Sequence, residues 1–440
     1  MFMVNRKTSA FMLAAPSSGS GKTTVSLGLM RLLSQRGQKI QPFKCGPDYI
    51  DGKHHYWACG NPSVNLDLFF SSEEYVRQSF HKYTIKADVC IVEAVMGLFD
   101  GASRDQNSSA SIAKLLNLPV IMVINAGAMA YTAAAILFGF KNFDKNINLA
   151  GVIFNNVGSK SHYGFLKEAA EEVGVTPLGY VLKDASLKIP ERHLGLAISL
   201  DNDYEQIIEN IAHTVSQHID LELLLEKTQF ILPGAIEINS ANDFPIIRIA
   251  VARDEAFNFS YIANLEKLQE IGDITYFSPI HDEVLPEADL VYLAGGYPEL
   301  FMEKLSQNTA MRSAILAYCK NGGRLLAECG GMMYMSKSII DTDGREYPMV
   351  DYFDFSSSME HARLKLGYRK FLLNQKEFRG HEFHYSTLIN EENERSEGKV
   401  LNARDVAVPT GIFHKKNVWV SYMHFYWGES IDLLTEMKLL

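Results

Sequence analysis

Cysteine is scarce in this 440-residue chain: Cys45, Cys59, Cys90, Cys319 and Cys329 are scattered, odd in number and never set as C-x-x-C. That pattern excludes a disulfide scaffold and a cysteine-held zinc, and it predicts a reducing, cytoplasmic setting. Positive charge is short as well. Lys and Arg number 42 against 52 Asp and Glu, a formal net charge of −10, with no basic block dense enough to hold nucleic acid. An anionic ligand must therefore find a local positive site. No apolar run reaches bilayer-spanning length, and Met-Phe-Met-Val-Asn-Arg-Lys opens in the wrong order for a secretion signal, so no membrane partner is expected. Repeats and low-complexity stretches are absent too. With 47% apolar and 21% charged residues, the length suits two globular domains, each with its own core.

What is present starts near the N-terminus. Phe11 to Ala15 reads as a buried strand, and Val25, Leu29, Leu32 and Leu33 recur at helical spacing up to Gly37. Between them lies Pro16-Ser17-Ser18-Gly19-Ser20-Gly21-Lys22-Thr23-Thr24. Strand, small-residue loop, Gly-Lys-Thr and helix together predict a P-loop, whose backbone N–H groups cradle ATP phosphates. Lys22 supplies a point charge at the terminal phosphates, and the Thr23 hydroxyl suits Mg²⁺. Pro16 replaces the usual first glycine, so the loop must open with a different turn.

Further on, Lys39 to Lys44 reads as a second strand leading into Cys45-Gly-Pro-Asp48-Tyr49-Ile50-Asp51. Asp48 and Asp51 suit Mg²⁺ or a substrate near the phosphates; as an Asx-turn they would only bond local backbone. Lys53-His54-His55 lacks a third metal ligand at suitable spacing and reads as a surface or substrate loop. The apolar strand Ala87 to Glu93 ends in an acid, the position of a Mg²⁺ or water-orienting carboxylate, and Asp100 follows in the next loop. Strands Pro119–Asn125 and Asn148–Asn155 alternate with helices 109–116 and 128–138, which predicts a doubly wound, mainly parallel α/β sheet. Asn155 is placed to read a base, or is simply a turn residue. Residues 201–228 read as helical, and periodicity is lost over 229–245, the expected linker between domains 1–228 and 246–440.

A second α/β pattern opens at Ile246. Its centre is Gly323 to Met335, a strand running into Cys329-Gly330-Gly331 and a helix. This is the pattern of a nucleophile elbow, which would lift the thiol off the sheet and use the helix N-terminus to lower its pKa. The alternative is an inert buried cysteine. Gly295-Gly296, with Gly330, would serve the oxyanion of a tetrahedral intermediate, and His424, at the end of a late strand, is the candidate base or else a core histidine.

These residues, together with Glu93-Ala-Val-Met-Gly-Leu-Phe-Asp-Gly101 and Arg379-Gly-His-Glu-Phe-His-Tyr-Ser386, resemble the cobyrinic acid a,c-diamide synthase family over nearly the whole chain. The resemblance implies a dethiobiotin-synthetase-like ATPase domain followed by a class I glutamine amidotransferase-like α/β domain. It further implies that Mg-ATP phosphorylates a corrin carboxylate and that ammonia from L-glutamine displaces the phosphate. Thr23, Asp48 and Glu93 would hold Mg²⁺, with Tyr49, Asp51 and Asp100 beside the transferred phosphoryl group. Cys329 would attack glutamine with His424 as proton shuttle. Arg379, His381, Glu382 and His384 belong to the motif with undefined roles; His381 and His384 could also share one polar face. Two positions depart from the family pattern: Ala94 stands where glycine is usual, and Tyr426 stands where an acid would complete a triad, so a Cys–His dyad is expected. A homodimer is compatible with this organisation. The competing readings are the same chemistry on nickel sirohydrochlorin or hydrogenobyrinic acid, and a P-loop switch ATPase with a degenerate second domain.

Overall fold

A computed structural model describes residues 7–189, 204–232 and 246–440, which fall into two compact units. The first unit is a sheet wound on both faces. Its elements are β1 (Lys7–Ala14), α1 (Lys22–Gln35), β2 (Ile40–Cys45), α2 (Ile50–Cys59), β3 (Val64–Leu66) and α3 (Glu73–Thr84). They continue with β4 (Val89–Glu93), α4 (Ser109–Leu116), β5 (Val120–Asn125), α5 (Thr132–Phe143), β6 (Leu149–Val157) and α6 (Lys160–Glu172). The last are β7 (Pro177–Leu182), α7 (Tyr204–His218), α8 (Leu221–Lys227) and β8 (Gln229–Ile231).

The strands lie in the order 3-2-4-1-5-6-7, all parallel, and β8 adds antiparallel to the start of β1. Strands such as Val120-Ile-Met-Val-Ile are buried on both faces, so they read as continuous apolar runs rather than alternating ones. Alternate side chains feed two apolar layers, one around Met12, Phe43 and Val92, the other around Phe11, Leu29 and Ile91. Gln229–Ile231, expected in the linker, is therefore part of this sheet; residues 233–245 of that stretch lie outside the described residues.

The second unit holds β9 (Ile247–Ala252), α9 (Ile262–Ile271), β10 (Gly272–Phe277), β11 (Leu290–Leu293), β12 (Arg324–Glu328) and α10 (Gly330–Met335). After these come β13 (Lys365–Leu373), β14 (Lys376–His384), β15 (Lys399–Asn402), β16 (Ile412–Lys415), β17 (Val418–Ser421) and β18 (Met423–Phe425). Its main sheet runs β10-β9-β11-β12-β17-β16, parallel except for the last hairpin. A separate antiparallel sheet runs β15-β13-β14-β18. His424 was expected at the end of a sheet strand; the chain instead leaves the main sheet at Ser421, and β18 carries His424 into the antiparallel sheet opposite His381. Among the described residues no helix is long and apolar enough to cross a membrane.

Candidate functional site

The first site lies at the carboxyl ends of β1, β2 and β4, where a doubly wound fold presents its ligands. Ser17, Ser18 and Gly19 are exposed, and α1 begins at Lys22 behind a left-handed Gly21 (φ +97°) with no side-chain cap. The first N–H groups of the helix are thus left to a phosphate rather than to a capping side chain. Pro16 costs the loop an N–H, but its neighbours compensate: the Leu98 N–H donates to the Ala15 carbonyl (3.0 Å), and a Cβ on Gly97 would lie 2.7 Å from the Pro16 carbonyl oxygen. Lys22 Nζ donates to the Met96 carbonyl (2.6 Å), so the loop after β4 holds the lysine at the nest. Burial, then the charge of Lys44, keep its ammonium below the ordinary lysine range, while Glu93, Asp51 and Asp100 pull it back.

Glu93 is completely buried and is the hub of this site. Its Oε1 accepts from Thr23 Oγ1 (2.8 Å) and from Lys44 Nζ (2.9 Å), and its Oε2 lies 2.9 Å from His55 Nε2. Lys44 also donates to Asp51 Oδ2 (2.5 Å). Burial opposes charge on both Lys44 and Glu93. Asp51, Glu93 and Asp48 outweigh it for the lysine, and Lys44 and His55 outweigh it for the glutamate, so the pair stays ionised. Asp48 Oδ1 accepts from the N–H groups of Ile50 and Asp51, so it does bond local backbone, at the start of α2, with Tyr49 as the residue before that helix. Asp100 Oδ2 accepts from the Gly97 N–H (3.0 Å) and tightens the loop after β4.

Three outcomes differ from the sequence reading. Lys53-His54-His55 is not a surface loop: it lies on α2, where the Asp51–His55 spacing turns both side chains to the Glu93 cluster. Lys44 was read only as part of a strand, although a lone lysine in a buried strand signals a partner. Asn155 Nδ2 donates to the Ser20 carbonyl (3.1 Å) and sits where a Gly21 Cβ would be 1.9 Å away, so this donor braces the P-loop. Ala94, in the usual glycine position, is buried, and its N–H continues the ladder to Leu13. Among the described residues no three His, Cys, Asp or Glu side chains form a metal cluster. The Thr23 hydroxyl and the Glu93 carboxylate, 2.8 Å apart, are hard oxygen donors of the kind Mg²⁺ takes.

The second site is built where β12 turns into α10. Cys329 has φ +48° and ψ −104°, a strained conformation for a residue with a Cβ, and its N–H donates to the Ser421 carbonyl (2.6 Å). The elbow is there, but the thiol is not lifted into the open. Cys329 is buried with Sγ 3.6 Å from the Phe383 carbonyl oxygen. Burial, reinforced by Glu299, pushes the thiol well above its ordinary range, and the Gly330 N–H only partly offsets this. The expected lowering by the helix N-terminus is thus overridden by the closed, carboxylate-bearing surroundings.

Gly295 and Gly296 pack between the elbow and the histidine. A Cβ on Gly295 would lie 2.2 Å from His424 Cε1, and one on Gly330 would lie 3.0 Å from the Gly296 nitrogen. Burial, then the charge of His384, lower His424 to about 3, so its imidazole is neutral. Its ring stacks on His381 (centroids 4.8 Å apart, 15°), and Tyr261 Oη lies 2.9 Å from His381 Nδ1. Tyr426, in the place of a triad acid, packs edge-on against Tyr261. His381 and His384 do not share a polar face, because three residues along a strand point to opposite sides, and both are buried. Glu382 accepts from Arg369 Nε (2.6 Å) and Thr410 Oγ1 (2.8 Å), and lies 2.8 Å from His384 Nε2. Burial works against its charge, but His384 and Arg369 hold the carboxyl at about 2. Arg379, by contrast, is half exposed and pairs with Glu377.

Glu328, just before the nucleophile candidate, accepts from Tyr292 Oη (2.9 Å) and from the Phe425 N–H (3.0 Å), tying β12 to the strand of His424. Burial pushes its carboxyl up to about 8, with those two donors pulling the other way. Its folded value lies above the unfolded one of 4.5, so between these pH values the folded state holds the proton that the unfolded state has lost. This contribution therefore falls as pH rises from 4.5 to about 8. Glu328→Gln is expected to gain stability relative to wild type between pH 6 and pH 8 in urea unfolding; a difference constant over that range would refute this.

Residues 11–196 match the CobQ/CobB/MinD/ParA nucleotide binding domain, and residues 248–431 match the CobB/CobQ-like glutamine amidotransferase domain. Full-length relatives carry the name cobyrinate a,c-diamide synthase. The Listeria innocua protein is 39% identical over 97% of this chain and 98% of its own length. Those of Picrophilus torridus and Dehalococcoides mccartyi are each 40% identical over 96% of both chains. With a P-loop nucleotide-binding domain followed by a glutamine amidotransferase domain, the chain is a ligase and belongs to the cobyrinate a,c-diamide synthase family.

Proposed function

We propose that the chain uses ATP and L-glutamine to convert the a and c side-chain carboxylates of cobyrinic acid into amides through acyl phosphates, in the cytoplasm. Synthetase chemistry is assigned to the first unit, with a boundary after β8, and ammonia production to the second. An amide does not form from a carboxylate and ammonia at neutral pH without activation. A corrin carboxylate oxygen attacks the γ-phosphorus of ATP, ADP leaves, and ammonia then attacks the acyl carbon and expels phosphate. Lys22 and Lys44 offset the charge of the transferred group, and the P-loop positions it. Thr23, Glu93 and Asp48 would hold Mg²⁺, which when bound neutralises phosphate charge.

In the second unit His424 takes the Cys329 proton as the sulfur adds to the glutamine carboxamide. Backbone N–H groups at Gly296 and Gly330 receive the developing oxyanion. His424 returns its proton to the departing ammonia, and water hydrolyses the glutamyl thioester. The observation that carries this reading is one chain holding a P-loop lysine–carboxylate cluster, and a cysteine elbow and a neutral histidine that both pack on the Gly295-Gly296 turn.

The test is mass spectrometry of cobyrinic acid incubated with protein, Mg-ATP and glutamine. A gain of two amide groups is expected. Cys329→Ala should lose this gain with glutamine and recover it with ammonium salts. An untouched corrin under both nitrogen sources would overturn the proposal.

A further inference from the structure

Three carboxylates act on the Cys329 thiol, two of them buried and the third, Glu299, half-buried. Glu328 is satisfied by Tyr292 and Phe425, and Glu382 by Arg369, His384 and Thr410. Glu299 sits in a short 3-10 turn, Pro298–Leu300, just after Gly295-Gly296. That turn packs on the start of α10, where a Cβ on Gly330 would lie 2.8 Å from Pro298 Cδ. Glu299 Oε2 is shut off from solvent and has no hydrogen-bond partner among the described residues. Its charge bears on the Cys329 thiol and on Tyr422, which places it within electrostatic reach of the attacking sulfur. Burial alone pushes its carboxyl up to about 7. A carboxylate oxygen shut off from water and left idle destabilises a fold unless a donor arrives to meet it.

Glutamine brings such a group. Two methylenes separate its α-carbon from the carboxamide carbon, so its ammonium lies about 5 Å from the carbon that the sulfur attacks. We propose that Glu299 binds the α-ammonium of L-glutamine and so selects glutamine over amides that lack it. The inference rests on the reading of the second unit as a glutaminase. It carries a consequence for activation. Of the neighbouring charges, Glu299 does most to keep the thiol protonated. Pairing with the substrate ammonium cancels that charge, so the sulfur becomes easier to ionise only when the right substrate is seated.

The test compares ammonia release by the full chain from L-glutamine and from glutaramate, which is glutamine without its α-ammonium. Wild type is expected to prefer glutamine strongly in kcat/KM. Glu299→Gln should raise the glutamine KM about 10²-fold, leave its kcat within a few fold, and bring the preference close to unity. The same variant should still amidate the corrin with ammonium, which reports a folded first unit, and free Cys329 should react faster with iodoacetamide. An unchanged glutamine KM, or equal losses on both amides, would overturn the inference while leaving the glutaminase intact. Wild type that amidates with ammonium and never with glutamine would overturn both the inference and the reading beneath it.

Discussion

Lys44→Met is expected to remove about 3–5 kcal/mol from the stability of the first unit and to lower ATP-dependent amidation by about 10²–10³-fold. Lys44 is the shared partner of Asp51 and of Glu93, a carboxylate with no exposure at all. Without it, Glu93 keeps neutral partners such as Thr23 and Ser26 beside His55, and a buried charge without its cation is worse than no charge. The same variant takes one of two cations from the phosphoryl site. Urea unfolding measures the first effect and ADP formation with corrin present measures the second. Lys44→Met/Glu93→Gln should regain most of the stability but none of the activity, which separates the structural contribution from the chemical one. A single variant within about 1 kcal/mol of wild type would show the cluster to be weakly coupled.

Gly295→Ala is the second large effect: glutamine-dependent synthesis should fall about 10²-fold while ammonium-dependent synthesis persists. The added Cβ would lie 2.2 Å from Cε1 and 2.8 Å from Nδ1 of His424. The ring has little room to retreat, since His381 is stacked against it and Gly380 crowds its backbone carbonyl. Either the imidazole rotates or the glycine turn shifts, and both misalign the proton path to Cys329. Single-turnover glutaminase assays beside ammonium-driven synthesis measure the split. Normal turnover of glutamine by this variant would mean that His424 is not the base.

Much of the architecture was legible in local patterns. Apolar runs ending in Ala15, Glu93, Asn125 and Asn155 became parallel strands, because a sheet covered on both faces leaves no polar side to alternate with. Gly21-Lys22-Thr23 announced the loop that leads into α1, and Cys329-Gly330-Gly331 announced the elbow. Thr23 was expected near Glu93, but Lys44 and His55 were not legible as its partners. Thr23, Lys44 and His55 lie 70, 49 and 38 residues from it in sequence and meet it only because β4 is flanked by β1 and β2. His424 was expected at the end of a late strand, and nothing local marks Tyr422 as the point where the chain changes sheets before it.

The sequence by itself determined the two chemistries, a phosphate cradle with hard oxygen ligands and a cysteine at a strand–helix turn, because each depends on residues close together in the chain. Tertiary structure alone decided the protonation states and the contacts that set them. The Cys329 thiol is raised, His424 is neutral, Lys44 and Glu93 are charged, and Glu299 is left waiting for a cation. Burial and distant charges set these states, and both are properties of the packed fold rather than of any stretch of chain.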